Sequence, residues 1–274
     1  MGRRRQLEAR LRTLGEIRDI LGAMKNLALI ETRKLARVLQ TEQRVLATLR
    51  SAAADFIAFH PLHPDSELAA CNVCLLVGSE RGFCGEFNER LRRALPQPPE
   101  DAAFIVTGRR LATRLGRDAR VLESLPGAAT LEDVPTVLLG VMRALDRWKA
   151  AQRPGALLRL AVLHHAESRI ERSVLDPFAR DDSATPLPAE PPLLYLRPPE
   201  FLAALLEHYV FAALHDIFYR SLAAENQYRM QHMDAAVRRL EQNVAQLARR
   251  GRILRQEEIT EEIEVIMLSV ETAR

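Results

Sequence analysis

Between an apolar run and a helical stretch lies Ser79-Glu80-Arg81-Gly82-Phe83-Cys84-Gly85-Glu86-Phe87-Asn88, which gathers a hydroxyl, a thiol, two carboxylates and two glycines. A glycine-bearing loop that enters a helix is where backbone N–H groups and the helix dipole can hold a phosphate. This loop has no GxxxxGK[ST], no GxGxxG and no lysine, so the fingerprint and its cation are both missing. The better reading is a structural turn framed by Arg81, Gly82, Cys84 and Gly85, with the glycines supplying positive φ.

His60-x2-His63 followed by Cys71-x2-Cys74 offers ligand types and spacings that zinc uses. If Cys71 to Leu76 is a strand, residues three apart point to opposite faces and cannot share one ion. Proline also follows both histidines. A wet loop and buried thiols are the expectation, with no metal site. His164-His165, at the end of another apolar run, reads as ordinary surface. No Ser/His/Asp, Cys/His or paired-carboxylate grouping is persuasive, so no catalytic residue and no cofactor are expected.

Arg238, Arg239, Arg249, Arg250, Arg252 and Arg255 form a basic stretch opposed only by Glu241. A solvated coiled-coil face, a nucleic-acid surface and contact with an acidic protein all compete for it. Scarce aromatics weigh against base stacking, and an acidic protein partner is favoured.

The elements that must position these residues follow from proline. All fifteen prolines lie between Pro61 and Pro199, and proline in a helix interior costs ~3 kcal/mol or more. Two long helices therefore flank a punctuated middle, dividing the chain into 1–60, 61–197 and 198–274. In the first helix Leu7, Leu11, Leu14, Ile17, Leu21, Met24 and Ala28 recur at three- and four-residue spacing. Leu35, Val38 or Leu39, Val45, Leu49, Ala53 and Phe56 continue the stripe. Gly15 and Gly22 weaken it and mark places where something passes close by.

The last helix opens at Pro198-Pro199-Glu200. Its stretch from Phe201 to Leu222 is broadly apolar and should pack on the middle domain. Met230, Met233, Val237, Leu240, Val244, Leu247, Gly251 and Leu254 then form a coiled-coil seam, which slips near Gly251 and resumes at Ile259, Ile263, Ile266 and Val270. The pair must be antiparallel, with a left-handed supercoil.

Between them Val73–Val77, Phe104–Thr107 and Leu157–Leu163 read as strands, with Val174-Leu175 as a fourth. Helices are expected at 87–95, 110–115 and 135–151. That alternation gives the fold class: α/β, a long antiparallel coiled coil plus a small Rossmann-like domain with a mainly parallel sheet. Asp181 to Pro192 reads as a linker, and no internal repeat is visible.

Composition limits the rest. The chain has 274 residues, 47% hydrophobic and 27% charged, with net charge +3, as in folded soluble proteins. Residues 1–60 carry twelve Lys/Arg against six Asp/Glu. Three cysteines fit a reducing compartment better than a disulfide framework. No apolar run of about 18 residues is apparent, and Glu8, Arg10 and Arg12 interrupt any signal peptide behind Arg3-Arg4-Arg5. Membrane association must come through partners.

With these motifs in place, the sequence resembles the gamma subunit of F-type ATP synthases, in three regions that together cover most of the chain. Ile20-Leu21-Gly22-Ala23-Met24-Lys25-Asn26-Leu27-Ala28 through Arg33-Lys34 is similar to that family's "ITKAMEMVAASKMRK". Arg81-Gly82-Phe83-Cys84-Gly85-Glu86-Phe87-Asn88 is similar to "RGLCGGLN". Glu225, Arg229-Met230, Met233 and Ala235-Ala236 are similar to "SE…ARMxAMxxAT", and Arg255-Gln256-x-x-Ile259-Thr260-x-Glu262-Ile263 to "RQxxITxEL".

Departures fit a divergent member, from a standard or an alternative rotary ATPase coupled to protons or sodium. Glu86 replaces a glycine, Thr-Asp-Asn is missing after Ala236, and Glu257-Glu258 replace small residues. The resemblance implies a rotor shaft in a ring of alpha and beta subunits. Its sheet domain would rest on the c-subunit ring beside the epsilon subunit, at the cytoplasmic face of a bacterial membrane. It also implies partner contacts at Met24, Lys25, Arg238, Arg239, Arg255, Gln256 and Thr260, with ATP chemistry left to the partners. A DNA-associated coiled-coil scaffold is the rival, and leaves the RGFCG and RQxxIT matches unexplained; a small metalloenzyme using His60, His63, Cys71 and Cys74 is the weaker third.

Overall fold

The computed structural model describes residues 2–61, 70–95, 103–116, 118–152, 157–175 and 191–272. The expected linker from Asp181 lies largely outside them, as does His63. Two compact units are present, one made of Met1–Ala28 with Arg229–Arg274 and one of Leu29–Tyr228. Helices α1 (Gly2–Phe59) and α5 (Pro198–Thr272) each contribute to both.

The proline-free ends are single helices, as their composition requires. Pro198 and Pro199 lie in the first turn of α5, where no intrahelical N–H is lost. At ~1.5 Å per residue, the 75 residues of α5 amount to about 110 Å of helix.

In the Leu29–Tyr228 unit, five strands stand in the order β3-β2-β1-β4-β5. They are β1 (Ala70–Val77), β2 (Ala103–Thr107), β3 (Val121–Leu125), β4 (Leu157–Ala166) and β5 (Arg169–Val174). β1 pairs in parallel with β2 and β4, and β2 with β3; β5 returns antiparallel to β4. Val73, Leu75 and Val77 enter a core with Ile105, Val162 and the inner face of α4 (Val134–Ala150). Leu35 of α1 and Leu214, Ile217 and Phe218 of α5 close that side. Cys74 and Leu76 face the opposite core, with Phe104, Val106, α2 (Phe87–Arg93) and α3 (Arg109–Leu115). Burial on both faces explains why β1, β2 and β4 read as unbroken apolar runs.

One strand, β3, escaped the sequence reading, and β5 was caught only at its last residue, Val174, each for a physical reason. β3 is an edge strand whose Glu123 pairs with Arg147 at 2.6 Å, so only alternate residues are partly buried. β5 is a charged edge strand, and the fourth strand runs back from Val174 rather than starting there. Its hairpin turns on Glu167 at φ +56, with no glycine to announce it.

The stripe on α1 needs two corrections: Val45 and Ile17 are exposed. Leu46 is buried in place of Val45, because Leu39, Leu46 and Ala53 hold the seven-residue spacing that faces one partner helix. The opening of α5 is long and apolar enough, by length and composition, to pass for a membrane span. Its Leu205, Tyr209, Leu214 and Phe218 are nevertheless buried in protein, which makes it a core helix.

A Cβ added at Gly15 or Gly22 would meet nothing within 4 Å, so no described segment passes either glycine closely. Alanine at either is expected to raise stability by ~0.5–1 kcal/mol through helix propensity alone; chemical denaturation of the two variants measures it.

Candidate functional site

α1 and α5 run antiparallel wherever they meet. In the first unit Leu7 reaches Gly251, with its Cδ2 only 2.9 Å from where a Cβ would stand, and Lys25 bonds Asp234. In the second, Leu46 packs with Tyr209 and Ala213, and the rings of Phe56 and Phe201 lie 5.1 Å apart. Gly251 is thus where a side chain of the partner helix is seated, a role expected instead of Gly15 and Gly22.

The seam residues expected on α5 turn inward. Met233 is fully buried, and Met230, Val237, Leu240, Val244, Leu247 and Leu254 are half-buried among exposed neighbours. Among the described residues the seam does not resume beyond Leu254: Ile259, Ile263 and Ile266 are 47%, 52% and 61% exposed. The Val270 side chain lies outside the described residues.

The candidate contact residues divide into two groups. Lys25 and Arg238 are brought together by Asp234, whose Oδ2 accepts from Arg238 at 2.8 Å while Oδ1 accepts from Lys25. The Lys25 bond holds the Asp234 carboxyl below its usual range, outweighing partial burial, with help from Arg238. Met24 is half-buried beside them. Arg239, Arg255, Gln256 and Thr260 are exposed, and the Thr260 hydroxyl donates to its own helix at Gln256 O, 2.9 Å away. Arg249, Arg250 and Arg252 are exposed as well, so the whole basic stretch is a solvated face of α5.

Sequence reasoning missed Asp234, Glu31 and Asn226, and it named Glu225 and Arg229 only as parts of the resembled motif, without their burial. Glu225, Asn226 and Arg229 are at most 5% exposed, and Glu31 accepts from Lys34 at 3.0 Å and from the Leu131 N–H at 3.4 Å. An acid three or four residues from an apolar seam position is the signal that would have found Glu31 and Asp234.

The loop after β1 is a structural turn built on Ser79. Asn88 Oδ1 accepts from the Ser79 N–H at 3.0 Å, while Asn88 Nδ2 and the Cys84 thiol donate to the Ser79 hydroxyl at 2.7 and 3.3 Å. Gly85 takes φ +56, and Gly82 lies beside the Arg110 guanidinium. Arg81 is exposed. Glu86 sits at φ −85, so no glycine is required where the resembled motif has one.

The crevice at the carboxyl ends of parallel strands, where open α/β sheets bind ligands, is filled here. The Glu80 carboxylate accepts the Arg109 N–H at 3.1 Å, the Gly127 N–H at 2.8 Å and the Arg109 guanidinium. Burial pushes the Glu80 carboxyl up, but these bonds outweigh it and keep it below the usual range. Gly78, Gly108 and Gly127 pack backbone to backbone beside it. An anionic side chain occupies the donors a phosphate would need.

Cys74 is buried in the second core, its thiol pushed up to about 11 by that burial, and His60 leans on Phe56 with ring centroids 4.8 Å apart. His63 and the Cys71 side chain lie outside the described residues, and no metal-holding cluster occurs among those described. His164 and His165 are not surface: both are buried, 2% and 0% exposed. The His165 ring stacks on Phe87 at 3.8 Å and its Nε2–H donates to Phe87 O at 2.9 Å.

The chain as a whole is similar to known proteins. A family model described as ATP synthase matches residues 3–272. The ATP synthase gamma chain of Streptomyces coelicolor is 24% identical, covering 96% of this chain and 93% of its own. That of Beutenbergia cavernae is 25% identical, over 97% and 96%. Among solved structures, the rotor of the Euglena gracilis mitochondrial ATP synthase matches with a TM-score of 0.61 at 15% identity, covering 94% of this chain and 99% of that one. The central stalk and c-ring structure from Tetrahymena thermophila gives 0.53 at 16%, over 79% and 99%. At such identities the structures establish the fold, while the family model spans nearly every residue. The chain therefore belongs, as a distant member, to the ATP synthase gamma-chain family, the non-catalytic rotor of the central stalk.

Proposed function

We propose that this chain is the shaft that carries torque between a c-subunit ring and a catalytic ring of alpha and beta subunits, at the cytoplasmic face of a bacterial membrane, beside an epsilon subunit. The observation that carries the reading is the end of α5, where exposed arginines are followed by the exposed apolar Ile259, Ile263, Val265, Ile266 and Met267. Exposed isoleucines in a row call for a surrounding apolar wall, and the cations call for acidic loops; a bore lined by three similar catalytic subunits supplies both. An asymmetric helix pair presents different side chains to each of the three, so its angle biases which one binds, reacts or releases. Membrane association comes through partners, and nucleic acid has no part in it.

Met24, Lys25, Arg238, Arg239, Arg255, Gln256 and Thr260 are the proposed contacts, with Arg81, Gly82, Cys84 and Gly85 framing the sheet domain. Replacing Arg255 and Gln256 together with alanine is expected to lower ion-driven ATP synthesis by about tenfold, the scale of one to two lost charge-assisted contacts. The circular dichroism of the variant should match the parent, since both side chains are exposed. Unchanged synthesis in the reconstituted complex overturns the assignment.

A further inference from the structure

Asp234 stands where two cations meet. Lys25 comes from α1 and Arg238 from one turn further along α5, and each bonds a different oxygen of the one carboxylate. Three charges therefore sum to a single positive one. Exposure grades across the cluster: 33% for the Asp234 side chain, 42% for Lys25 and 76% for Arg238. Arg238 is the member that reaches furthest into solvent.

We infer that Asp234 is a positioning residue for coupling: it cancels the Lys25 charge and aims Arg238, so that the Lys25–Asp234–Arg238 cluster offers a net single positive charge, in one direction. The inference rests on the shaft reading above. It reverses the simplest view of Lys25, which becomes a masked charge rather than a free contact. An acidic surface sweeping past would be drawn to a doubly charged patch too early in the turn, since exposed charges across an interface act on encounter rate and partner choice.

Charge arithmetic makes the idea testable apart from stability. Asp234→Asn leaves two unmasked cations. The pair Lys25→Gln with Asp234→Asn has no cross-helix ion pair, yet restores the net single charge. In the reconstituted whole complex, ions pumped per ATP hydrolysed should fall on the order of fivefold for D234N, the scale of one uncompensated charge about 4 Å away in a water-like dielectric. The double variant should couple at least about twofold better than D234N, and added salt should narrow the D234N defect.

If the ion pair served only as a structural clamp, the double variant would be as impaired as D234N, and that result overturns the inference. So does a D234N complex that couples normally. Should D234N fail to assemble, assembly of the double variant supports the charge account and its failure refutes it. Absence of coupling in the parent complex would instead strike at the shaft reading.

Discussion

Alanine at Gly108 is expected to destabilise the Leu29–Tyr228 unit by ~3–5 kcal/mol, combining left-handed strain with overpacking against backbone. Gly108 sits at φ +96, and a Cβ there would stand 2.5 Å from Gly78 O and 2.7 Å from Ser79 O. Neither carbonyl can retreat. Gly78 is held by its N–H to Thr107 O at 2.9 Å, and Ser79 O receives the Arg110 N–H at 3.1 Å. Gly116 is the matched control: its φ of +60 is also left-handed, but among the described residues nothing lies within 4 Å of its added Cβ. Gly116→Ala should cost only about 1 kcal/mol. Chemical denaturation of both variants gives the comparison; equal losses would mean that strain alone, and not backbone crowding, governs the site.

The second large effect is on acid stability. Burial pushes His165 down to about 4, and its Nδ1 has no partner among the described residues, so a proton arriving there finds a dry core with the Arg90 charge nearby. The groups packed on the ring are Phe87, Tyr228, Arg90 and His164. In the unfolded chain histidine titrates near 6.5.

Because the folded value is the lower one, the stabilising contribution is complete above pH 6.5. It is lost as pH falls toward 4, by on the order of 3 kcal/mol in all. Burial lowers His164 too, with the same sign. The carboxyls of Glu80, Asp118 and Asp133 are held below their ordinary values and also lose stability in acid, but only below about pH 5. The window between pH 6.5 and 5 therefore belongs to the histidines. His165→Gln can still donate to Phe87 O and cannot titrate. Its stability should change with pH by about 2 kcal/mol less than the parent's across that window. Parallel pH profiles for the two proteins would show that His165 does not carry the effect.

The sequence made some of this visible and hid the rest. Proline exclusion is a strong local signal, so α1 and α5 were readable nearly to the residue, and the seam from Met230 to Leu254 followed from spacing alone. Strands buried on both faces announced themselves through composition. β3 and β5 did not, because an edge strand is half wet and its polar residues resemble a loop. His165 was hidden for another reason: a lone histidine at a strand end is unremarkable until Phe87 and Tyr228 are folded over it from other elements. Asp234 depended on the register between two helices separated by about two hundred residues, which no local pattern encodes. The return of an apolar rhythm at Ile259 was legible but misleading, since periodicity reports that a face will be covered and not by whom.

That uncovered run has a consequence for the life of the subunit before it reaches its place. Newly made copies carry a greasy tip that invites sticking to one another or to unfinished chains. Surplus copies are then expected to aggregate or to be cleared by proteolysis unless companions are made in step. Production without companions should give aggregates that shortening after Leu254 relieves.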